Sequence, residues 1–184
     1  MVVSQLTPDE VLLGLLVVQP SHGYQLLEHF RDPARLGQVW HLSTSQLYAV
    51  LKRLEQQGLI EGQAVEVEDA PTRTEYTLTT EGQNQFEKWL HDSCPSSSVR
   101  RVRVEFLSRL YIARLLNQPT TTIVRHQKMA CMASYQHLLT QRDQTAPGVG
   151  YLAVELQIAQ LGAILQWIDR CELVPFNAEE LDET

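Results

Sequence analysis

A run of apolar residues at helical spacing between Ser43 and Gly58 constrains the fold more than any other segment of the chain. Four large apolar residues recur three and four positions apart: Leu47, Val50, Leu51 and Leu54. This spacing places them on one side of a helix. Ser43 is a residue type that caps helix starts, and Gly58 is one that ends helices. The segment therefore predicts an amphipathic helix that buries one side and offers the other.

The other side of this helix carries small polar and basic residues. Five side chains are expected to point outward: Ser45, Gln46, Ala49, Lys52 and Arg53. Hydroxyl and basic groups contact DNA phosphates, while Gln pairs with adenine and Arg with guanine in the major groove. A solvated surface helix can carry the same residues, so the neighbouring segments have to decide between the two interpretations.

Two short helices are predicted before this segment and two strands after it. Thr7-Pro-Asp-Glu10 is typical of a capping box and opens an apolar run, Val11 to Val18. A second short helix is expected at 21–30. The stretches 60–67 and 72–79 are rich in β-forming residues and flank a polar turn, which predicts a two-stranded hairpin. Three helices and a hairpin indicate a winged helix-turn-helix, in which the third helix enters the major groove.

A polar stretch at 91–98 separates this part from a helical second half. Three further helices are expected at about 99–116, 120–145 and 150–173. We therefore predict a mostly α fold with a small β-hairpin. Residues 1–92 are expected to form the winged helix-turn-helix, and residues 93–184 a three-helix domain for dimerisation and effector binding.

The last predicted helix is apolar on two sides. One side alternates four- and three-residue steps, as a coiled-coil seam does: Val154, Ile158, Leu161, Leu165 and Ile168. The second side consists of Leu152, Leu156, Ala159 and Ala163. A helix that is apolar on two sides needs more cover than three helices provide. We expect a homodimer with the seam at its interface; a bundle packed only within one chain is the alternative.

Several short motifs resemble those of the PadR family of bacterial transcriptional regulators. They are Ser21-His-Gly-Tyr-Gln-Leu26, Leu47-Tyr48, Leu51-Lys-Arg-Leu-Glu55, Gln57-Gly-Leu-Ile60 and Tyr76-Thr-Leu-Thr-Thr-Glu-Gly82. The segments 104–116 and 166–171 are similar to the C-terminal helical domain of the larger PadR subgroup. The resemblance covers roughly residues 6–173, and the motifs are specific as an ordered set rather than singly.

The resemblance implies a regulator, by family default a repressor, that binds a double-stranded DNA operator as a homodimer. Because a two-fold dimer presents two recognition helices, the operator is expected to be pseudo-palindromic with half-sites roughly 34 Å apart. The expected DNA-contacting residues are Tyr24, Ser43, Thr44, Ser45, Gln46, Tyr48, Ala49, Lys52, Arg53, Thr72, Arg73 and Thr74. For the tyrosines and the hydroxyl residues, a purely structural role is the alternative.

The resemblance also implies a small aromatic or hydrophobic effector, because regulators of this family often respond to such molecules. Four aromatic residues are candidates for its pocket: Trp89, Phe106, Tyr111 and Trp167. Aromatic residues at helical spacing more often belong to a protein core, which is the alternative interpretation.

The charge of the first half is unusual for a DNA-binding domain. Residues 1–92 contain six basic and thirteen acidic residues, a net charge of −7, whereas such domains usually have a basic footprint. Acidic residues lie in and around the predicted wing, among them Glu61, Glu66, Glu68 and Asp69. The alternative function is therefore a PadR-like scaffold that acts as a protein-interaction module without specific DNA binding.

A few basic residues remain available for phosphates. Lys52, Arg53 and Arg73 can neutralise about three phosphates per subunit. For the dimer, the logarithm of the DNA-binding constant is then expected to fall with the logarithm of the salt concentration with a slope of about −5, which we call the salt slope. Arg100, Arg101 and Arg103 form a basic cluster after the polar stretch. This cluster either adds contacts to the DNA backbone or is the solvent-exposed start of a helix.

The motifs of catalysts and cofactor-binding proteins are missing from the sequence. Without a glycine-rich phosphate loop, a nucleophile elbow or a paired-carboxylate motif, we expect no enzyme activity, no metal and no cofactor. The three cysteines lack short spacing, which is typical of reduced thiols in a cytoplasm. The longest uninterrupted apolar run is too short to span a bilayer and no leader opens the chain, so we expect a cytoplasmic protein without a membrane partner.

Overall fold

Short helices and a small sheet make up the first half of the chain, and helices alone make up the second. The computed structural model describes residues 6–67 and 70–171, and the side chains of residues 67 and 70–72 fall outside that description. The first half contains α1 (Asp9–Val18), β1 (Ser21–His22), α2 (Gly23–Arg31), α3 (Thr44–Gln56), β2 (Ile60–Val67), β3 (Ala70–Leu78) and α4 (Thr80–Leu90). The second contains α5 (Val99–Arg101), a π-helical segment (Val102–Phe106), α6 (Leu107–Leu115), α7 (Thr121–Gln144) and α8 (Val149–Cys171). The predicted fold class and the winged helix-turn-helix are confirmed.

α1 lies at the centre of the first half. Its residues from Val11 to Leu16 are buried almost all round the helix. The predicted capping box at Thr7 is wrong, because the cap residue is Pro8 and no side chain bonds to the first turn. Asp9 and Glu10 occupy that turn, where the helix dipole favours negative charge.

The start and end of α3 follow the sequence signals. The Ser43 side chain accepts a hydrogen bond from the Gln46 amide, and the Gln46 side chain accepts one from the Ser43 amide, which completes a capping box. At the other end, the Leu59 amide donates to the Leu54 carbonyl at 3.0 Å. Gly58 adopts a φ of 70°, a left-handed conformation that glycine reaches without steric cost. The helix is therefore fixed at both ends by its own sequence.

The wing belongs to a three-stranded antiparallel sheet of order β1-β3-β2. β2 pairs with β3 from Ile60 opposite Leu78 to Val67 opposite Ala70, as the hairpin prediction requires. β1 pairs Ser21 with Tyr76 on the other edge of β3. This third strand was not predicted, because two residues are too short to show an alternating pattern. It fixes the start of α2 to the base of the wing.

Residues 99–115 form one continuous helix with an irregular centre, which we call the connecting helix. Its π-helical segment buries Val102, Val104 and Phe106. The Ser108 hydroxyl donates to the Val104 carbonyl at 2.7 Å. Such segments occur mostly as single-turn bulges and frequently lie at functional sites.

α7 and α8 form a helical hairpin at the end of the described chain. The seam that was predicted to form the dimer interface faces inward instead, towards α7 and α5. All five of its residues are buried by the same chain: Val154, Ile158, Leu161, Leu165 and Ile168. The predicted dimer interface is therefore corrected, because apolar periodicity does not distinguish packing within a chain from packing between chains.

The second apolar side of α8 is the exposed one. Leu152 and Leu156 are 65% and 60% exposed, and Ala159 and Ala163 are exposed as well. By length and composition alone, α8 is also long and apolar enough to cross a membrane. Sequence analysis missed this property because it considered only uninterrupted apolar runs. One such helix is weak evidence of a membrane span, since core helices of soluble proteins pass the same test.

Most of the buried apolar residues form one contiguous core that extends from Val11 in α1 to Ile168 in α8. Several hydrogen bonds cross from the first half to the connecting helix, among them the bond of 3.2 Å that Arg109 donates to the Asp92 carboxylate. Trp40 donates its indole N–H to the Ser108 hydroxyl at 2.9 Å, and His29 lies 2.6 Å from the Tyr111 hydroxyl. The independence of residues 1–92 and 93–184 as two domains therefore stays a prediction.

Candidate nucleic-acid interface

α3 presents an exposed polar side, as its sequence predicts. The predicted core residues Leu47, Val50, Leu51 and Leu54 are buried. The exposed residues of the helix and its cap include Ser43, Thr44, Ser45, Gln46, Tyr48, Ala49 and Lys52. Residues seven positions apart lie on nearly the same line along a helix. Gln46 and Arg53 therefore share one flank of the exposed side, and Tyr48 and Glu55 share the opposite flank.

Arg53 is already engaged within the protein, which corrects its prediction as a free DNA-contacting residue. Both Asp9 carboxylate oxygens accept hydrogen bonds from its guanidinium, with 3.3 Å between Nε and Oδ2. The Asp9 side chain is only 14% exposed, so this pair is shielded from solvent on one side. Arg53 therefore ties α3 to the start of α1 and has its charge neutralised.

Gln46 is partly engaged as well. Its side-chain oxygen accepts a hydrogen bond of 2.9 Å from the Ser43 amide in the capping box. Bidentate pairing with adenine uses both the oxygen and the amino group of Gln. While the cap is intact, Gln46 therefore offers its amino group and one remaining lone pair of its oxygen, and the cap restricts how the side chain can turn towards adenine.

Arg31 adds a basic group that sequence analysis missed. It lies at the C-terminal end of α2 and donates to the Thr44 hydroxyl at 3.1 Å. This bond brings a guanidinium next to the start of α3, where helix amide groups also favour anions. The 13 positions between the two residues left no local pattern by which the pair could be found.

A cavity of about 560 Å³ lies between α3, the start of α2 and the wing. It is lined by His22, Gly23, Tyr24, Tyr48, Arg73, Thr74 and Tyr76. Tyr24 and Tyr48 are 57% and 47% exposed, so both side chains are accessible to an external ligand. The structure thus brings four predicted contact residues together: Tyr24, Tyr48, Arg73 and Thr74. The Thr72 side chain lies outside the described part of the chain.

His22 is a second residue that sequence analysis missed at this site. Its Nδ1 accepts a hydrogen bond of 3.3 Å from the Gln25 amide, which caps α2. Its Nε2 lies 3.2 Å from a terminal nitrogen of Arg73. A neutral imidazole has one acceptor nitrogen, so it cannot accept from both donors at once. Arg73 is therefore weakly held and remains available to an anion.

His29 and Tyr111, which link the two halves, are uncharged at neutral pH. Burial lowers the pKa of His29 to about 4, and burial also raises the pKa of Tyr111 to about 12. The imidazole is therefore neutral and the phenol protonated, as a buried hydrogen-bonded pair requires. This pair connects α2, which lies beside α3, with the connecting helix.

The four predicted effector residues have packing partners within the protein. Phe106 is fully buried and lies edge-on to Trp167, with 5.9 Å between the ring centroids. Tyr111 contacts His29, and Trp89 lies 5.2 Å from the guanidinium of Arg109. Phe106 is thus a core residue, and Trp89, Tyr111 and Trp167 are partly buried and pack against the core. The role of the four residues in effector binding stays a prediction.

The order of elements and their sequence agree with one known family. Residues 12–88, from α1 through most of α4, match the family described as "Transcriptional regulator PadR-like family". This part of the chain is therefore similar to the PadR-like family. The matched region contains α3 and the whole cavity beside the wing, so the region of similarity and the candidate interface coincide. This family consists of transcriptional regulators.

Individual relatives extend the similarity over most of the chain. The negative transcriptional regulator PadR of Bacillus subtilis (strain 168) is 26% identical over 172 residues, which cover 86% of this chain and 91% of that protein. The crystal structure of B. subtilis PadR with operator DNA is 22% identical, covers 89% of this chain and 96% of that chain, and has a TM-score of 0.45. The structure of B. subtilis PadR with p-coumaric acid is 23% identical, covers 89% and 95%, and has a TM-score of 0.42.

Proposed function

We propose that this protein is a sequence-specific DNA-binding transcriptional regulator that acts as a homodimer. The observation that carries the proposal is the exposed side of α3. It offers Ser45, Ala49 and Lys52 to a partner while the opposite side of the helix is buried in the core. The similarity of residues 12–88 to a family of transcriptional regulators supports a DNA partner for this surface.

The most exposed residues of α3 contact the DNA bases. Ala49 can contact a thymine methyl group, while Lys52 beside it can neutralise a phosphate at the edge of the groove. Ser45 can bond to either kind of base. Gln46 can join them through its amino group, while its amide oxygen continues to accept from the Ser43 amide. Arg53 does not contribute while Asp9 binds it.

On one flank of α3, the cavity beside the wing binds the DNA backbone. A phosphate placed there would meet the Arg73 guanidinium and the hydroxyls of Tyr24, Tyr48 and Thr74. Burial raises the pKa of Tyr76 at the base of this cavity, which keeps its hydroxyl protonated. Charged and hydroxyl donors of this kind position a protein on DNA without reading its sequence.

The homodimer is assigned to the exposed side of α8. Leu152, Leu156, Ala159 and Ala163 follow steps of four, three and four residues, which is the spacing of a coiled-coil contact. Leaving this strip in water costs roughly 25 cal/mol for each Å² of apolar surface. A two-fold contact through α8 would present two α3 helices to one operator, so half-sites are expected roughly 34 Å apart.

Repression, effector release and a cytoplasmic location complete the proposal. A dimer bound at a promoter blocks access to it, and the relative in B. subtilis is named a negative regulator. A small aromatic or hydrophobic effector is proposed to act through the connecting helix, because Trp40 and His29 link that helix to the region around α3. p-Coumaric acid, which the structure of B. subtilis PadR contains, is the first compound to test.

One observation favours a second function. The net charge of −7 on residues 1–92 opposes association with phosphates. The alternative is a protein-interaction module that keeps the PadR-like fold without specific DNA binding. Such a module would retard no DNA fragment selectively, even at low salt.

A titration against genomic DNA separates the two functions. Fluorescence anisotropy of the full chain with fragments flanking its gene is expected to give one preferred fragment. Footprinting of that fragment is expected to show two protected half-sites about 10 base pairs apart. Equal affinity for every fragment at several salt concentrations would reject the regulator in favour of the interaction module.

A further inference from the structure

The connecting helix brings arginines to the flank of α3 that lies away from the wing. A cavity of about 460 Å³ is lined by Gln46, Ala49 and Arg53 of α3, together with Arg100 and Arg103 of the connecting helix. The loop that leads into α3, including Trp40 and His41, completes the wall. Basic residues from the second half of the chain therefore lie beside the helix that faces DNA in the proposed function.

The two flanks of α3 face different parts of the molecule. Tyr48 and Glu55 share the flank that meets the start of α2 and the wing: a Cβ on Gly23 would touch the Tyr48 ring, and Glu55 accepts from the Gly62 amide at 3.2 Å. Gln46 and Arg53 share the flank that meets the connecting helix. A helix with its side chains is about as wide as the major groove, so its two flanks face the two groove walls.

Charge pairing leaves two arginines available on the connecting-helix flank. Asp9 neutralises Arg53, and Glu105 neutralises Arg101 on the inner side of the connecting helix. Arg100 and Arg103 are exposed. Within residues 6–67 and 70–171, neither of these two side chains has a carboxylate within ion-pair distance. Their charges are thus uncompensated in a protein that is acidic overall.

The position of Arg103 is fixed relative to α3. Its neighbours Val102 and Val104 are buried, which holds this turn of the helix in the core. Ser108 lies one turn further on, and its hydroxyl accepts the Trp40 indole N–H from the loop before α3. Ordering a long flexible side chain costs less when the backbone beneath it is rigid.

We propose that Arg100 and Arg103 contact the DNA backbone on the groove wall opposite the one contacted by the wing. This inference rests on the proposed function. It makes the connecting helix part of the DNA interface, so that α3 lies between Arg73 on one flank and Arg100 and Arg103 on the other. Movement of the connecting helix would then change DNA affinity directly.

Counterion release gives the proposal a quantitative signature. With Lys52, Arg73, Arg100 and Arg103 each on one phosphate in both protomers, the logarithmic salt slope is about −7. Removing Arg100 and Arg103 reduces its magnitude to about 4. Because phosphate contacts carry no sequence information, the loss is expected to be equal on specific and non-specific DNA.

The test uses the full chain, a mixed-sequence 30-base-pair duplex and the footprinted fragment. The double variant Arg100→Ala/Arg103→Ala is compared with Arg125→Ala/Arg170→Ala, which removes two exposed arginines from α7 and α8. The first variant is expected to lose at least about tenfold in affinity at moderate salt and to show the smaller slope. Replacement of both residues by Lys is expected to retain the slope, because it keeps the charges.

Three outcomes separate this inference from the proposed function. If the wild-type chain binds DNA and the alanine variant binds with the same affinity and slope, the inference fails alone. If both double variants lose affinity equally, the effect is one of overall charge and the inference also fails. If the wild-type chain binds neither duplex, the proposed function fails and the inference with it. Circular dichroism and sedimentation of each variant confirm that fold and assembly are unchanged.

Discussion

The Tyr48 ring lies directly over Gly23, so close that a Cβ on Gly23 would be 2.7 Å from Cε1 of the ring. The contact joins the first residue of α2 to the wing-side flank of α3. It also explains why a glycine is needed at this position although its backbone conformation is ordinary. The cavity beside the wing keeps its shape only while this residue has no side chain.

Gly23→Ala is therefore expected to weaken DNA binding without unfolding the protein. The added methyl group meets the end of a flexible side chain, so the Tyr48 ring moves and its hydroxyl loses its position. Loss of one hydrogen bond lowers DNA affinity by about twofold to tenfold. Gly150→Ala is the matched control, because its Cβ would meet only Thr145, at 3.9 Å. Anisotropy titrations in which both variants equal the wild type would contradict the role of Tyr48.

Asp9→Asn is expected to strengthen DNA binding. Removal of the Asp9 charge releases Arg53 on the exposed side of α3, where it can neutralise one more phosphate per subunit. The salt slope should then steepen by about 0.9 for each released arginine. Asp143→Asn, which removes an exposed carboxylate paired with Arg142 at 3.0 Å, controls for overall charge. Identical slopes for these two variants would show that Arg53 has no access to DNA.

Protonation of His29 is expected to destabilise the fold at acidic pH. Burial lowers its pKa from 6.5 to about 4, so the unfolded chain binds a proton before the folded chain does. The contribution of His29 is fully present above pH 6.5 and is lost as the pH falls towards 4. At most about 3 kcal/mol of the free energy of unfolding depends on this group. Urea titrations of the wild type and His29→Gln between these pH values measure it, and an equal loss in both proteins would refute the assignment.

Charges on the exposed side of α8 are expected to produce monomers. Leu152→Glu/Leu156→Glu places two carboxylates in the proposed dimer contact, while both residues are exposed in the single chain. Helix content should stay unchanged, and sedimentation should give a species near 21.0 kDa. Gln136→Glu/Gln141→Glu, on exposed positions of α7, is the control. A wild-type chain that is already monomeric at micromolar concentration would reject the dimer.

The elements that sequence predicted well are those whose signals are local. The buried side of α3, its cap at Ser43 and its end at Gly58 all arise within one short segment. The wing hairpin is also encoded by neighbouring residues. By contrast, Asp9 and Arg53 are 44 positions apart, and no spacing rule relates them. Pairings of this kind depend on how helices pack, which the sequence pattern does not specify.

The same distinction between local signals and helix packing explains why the dimer contact was predicted on the buried side of α8. The two apolar sides of α8 look alike in sequence, and only the position of α7 decides which of them, the Ile158 side or the Leu156 side, is covered. His22 was missed because imidazole is not among the usual helix-capping groups. Arg100 and Arg103 were recognised as a basic cluster, but their position beside α3 follows from the path of the connecting helix.

The most direct test of the account is the effect of Ala49→Glu on binding to the footprinted fragment. Ala49 is exposed at the centre of α3, so a glutamate there leaves the core intact and places a negative charge in the major groove. Ala133→Glu, on an exposed position of α7, is the control. The account predicts loss of selective binding by Ala49→Glu, with an unchanged fold and dimer, and wild-type affinity for Ala133→Glu. Retention of selective binding by Ala49→Glu would show that α3 does not enter the groove.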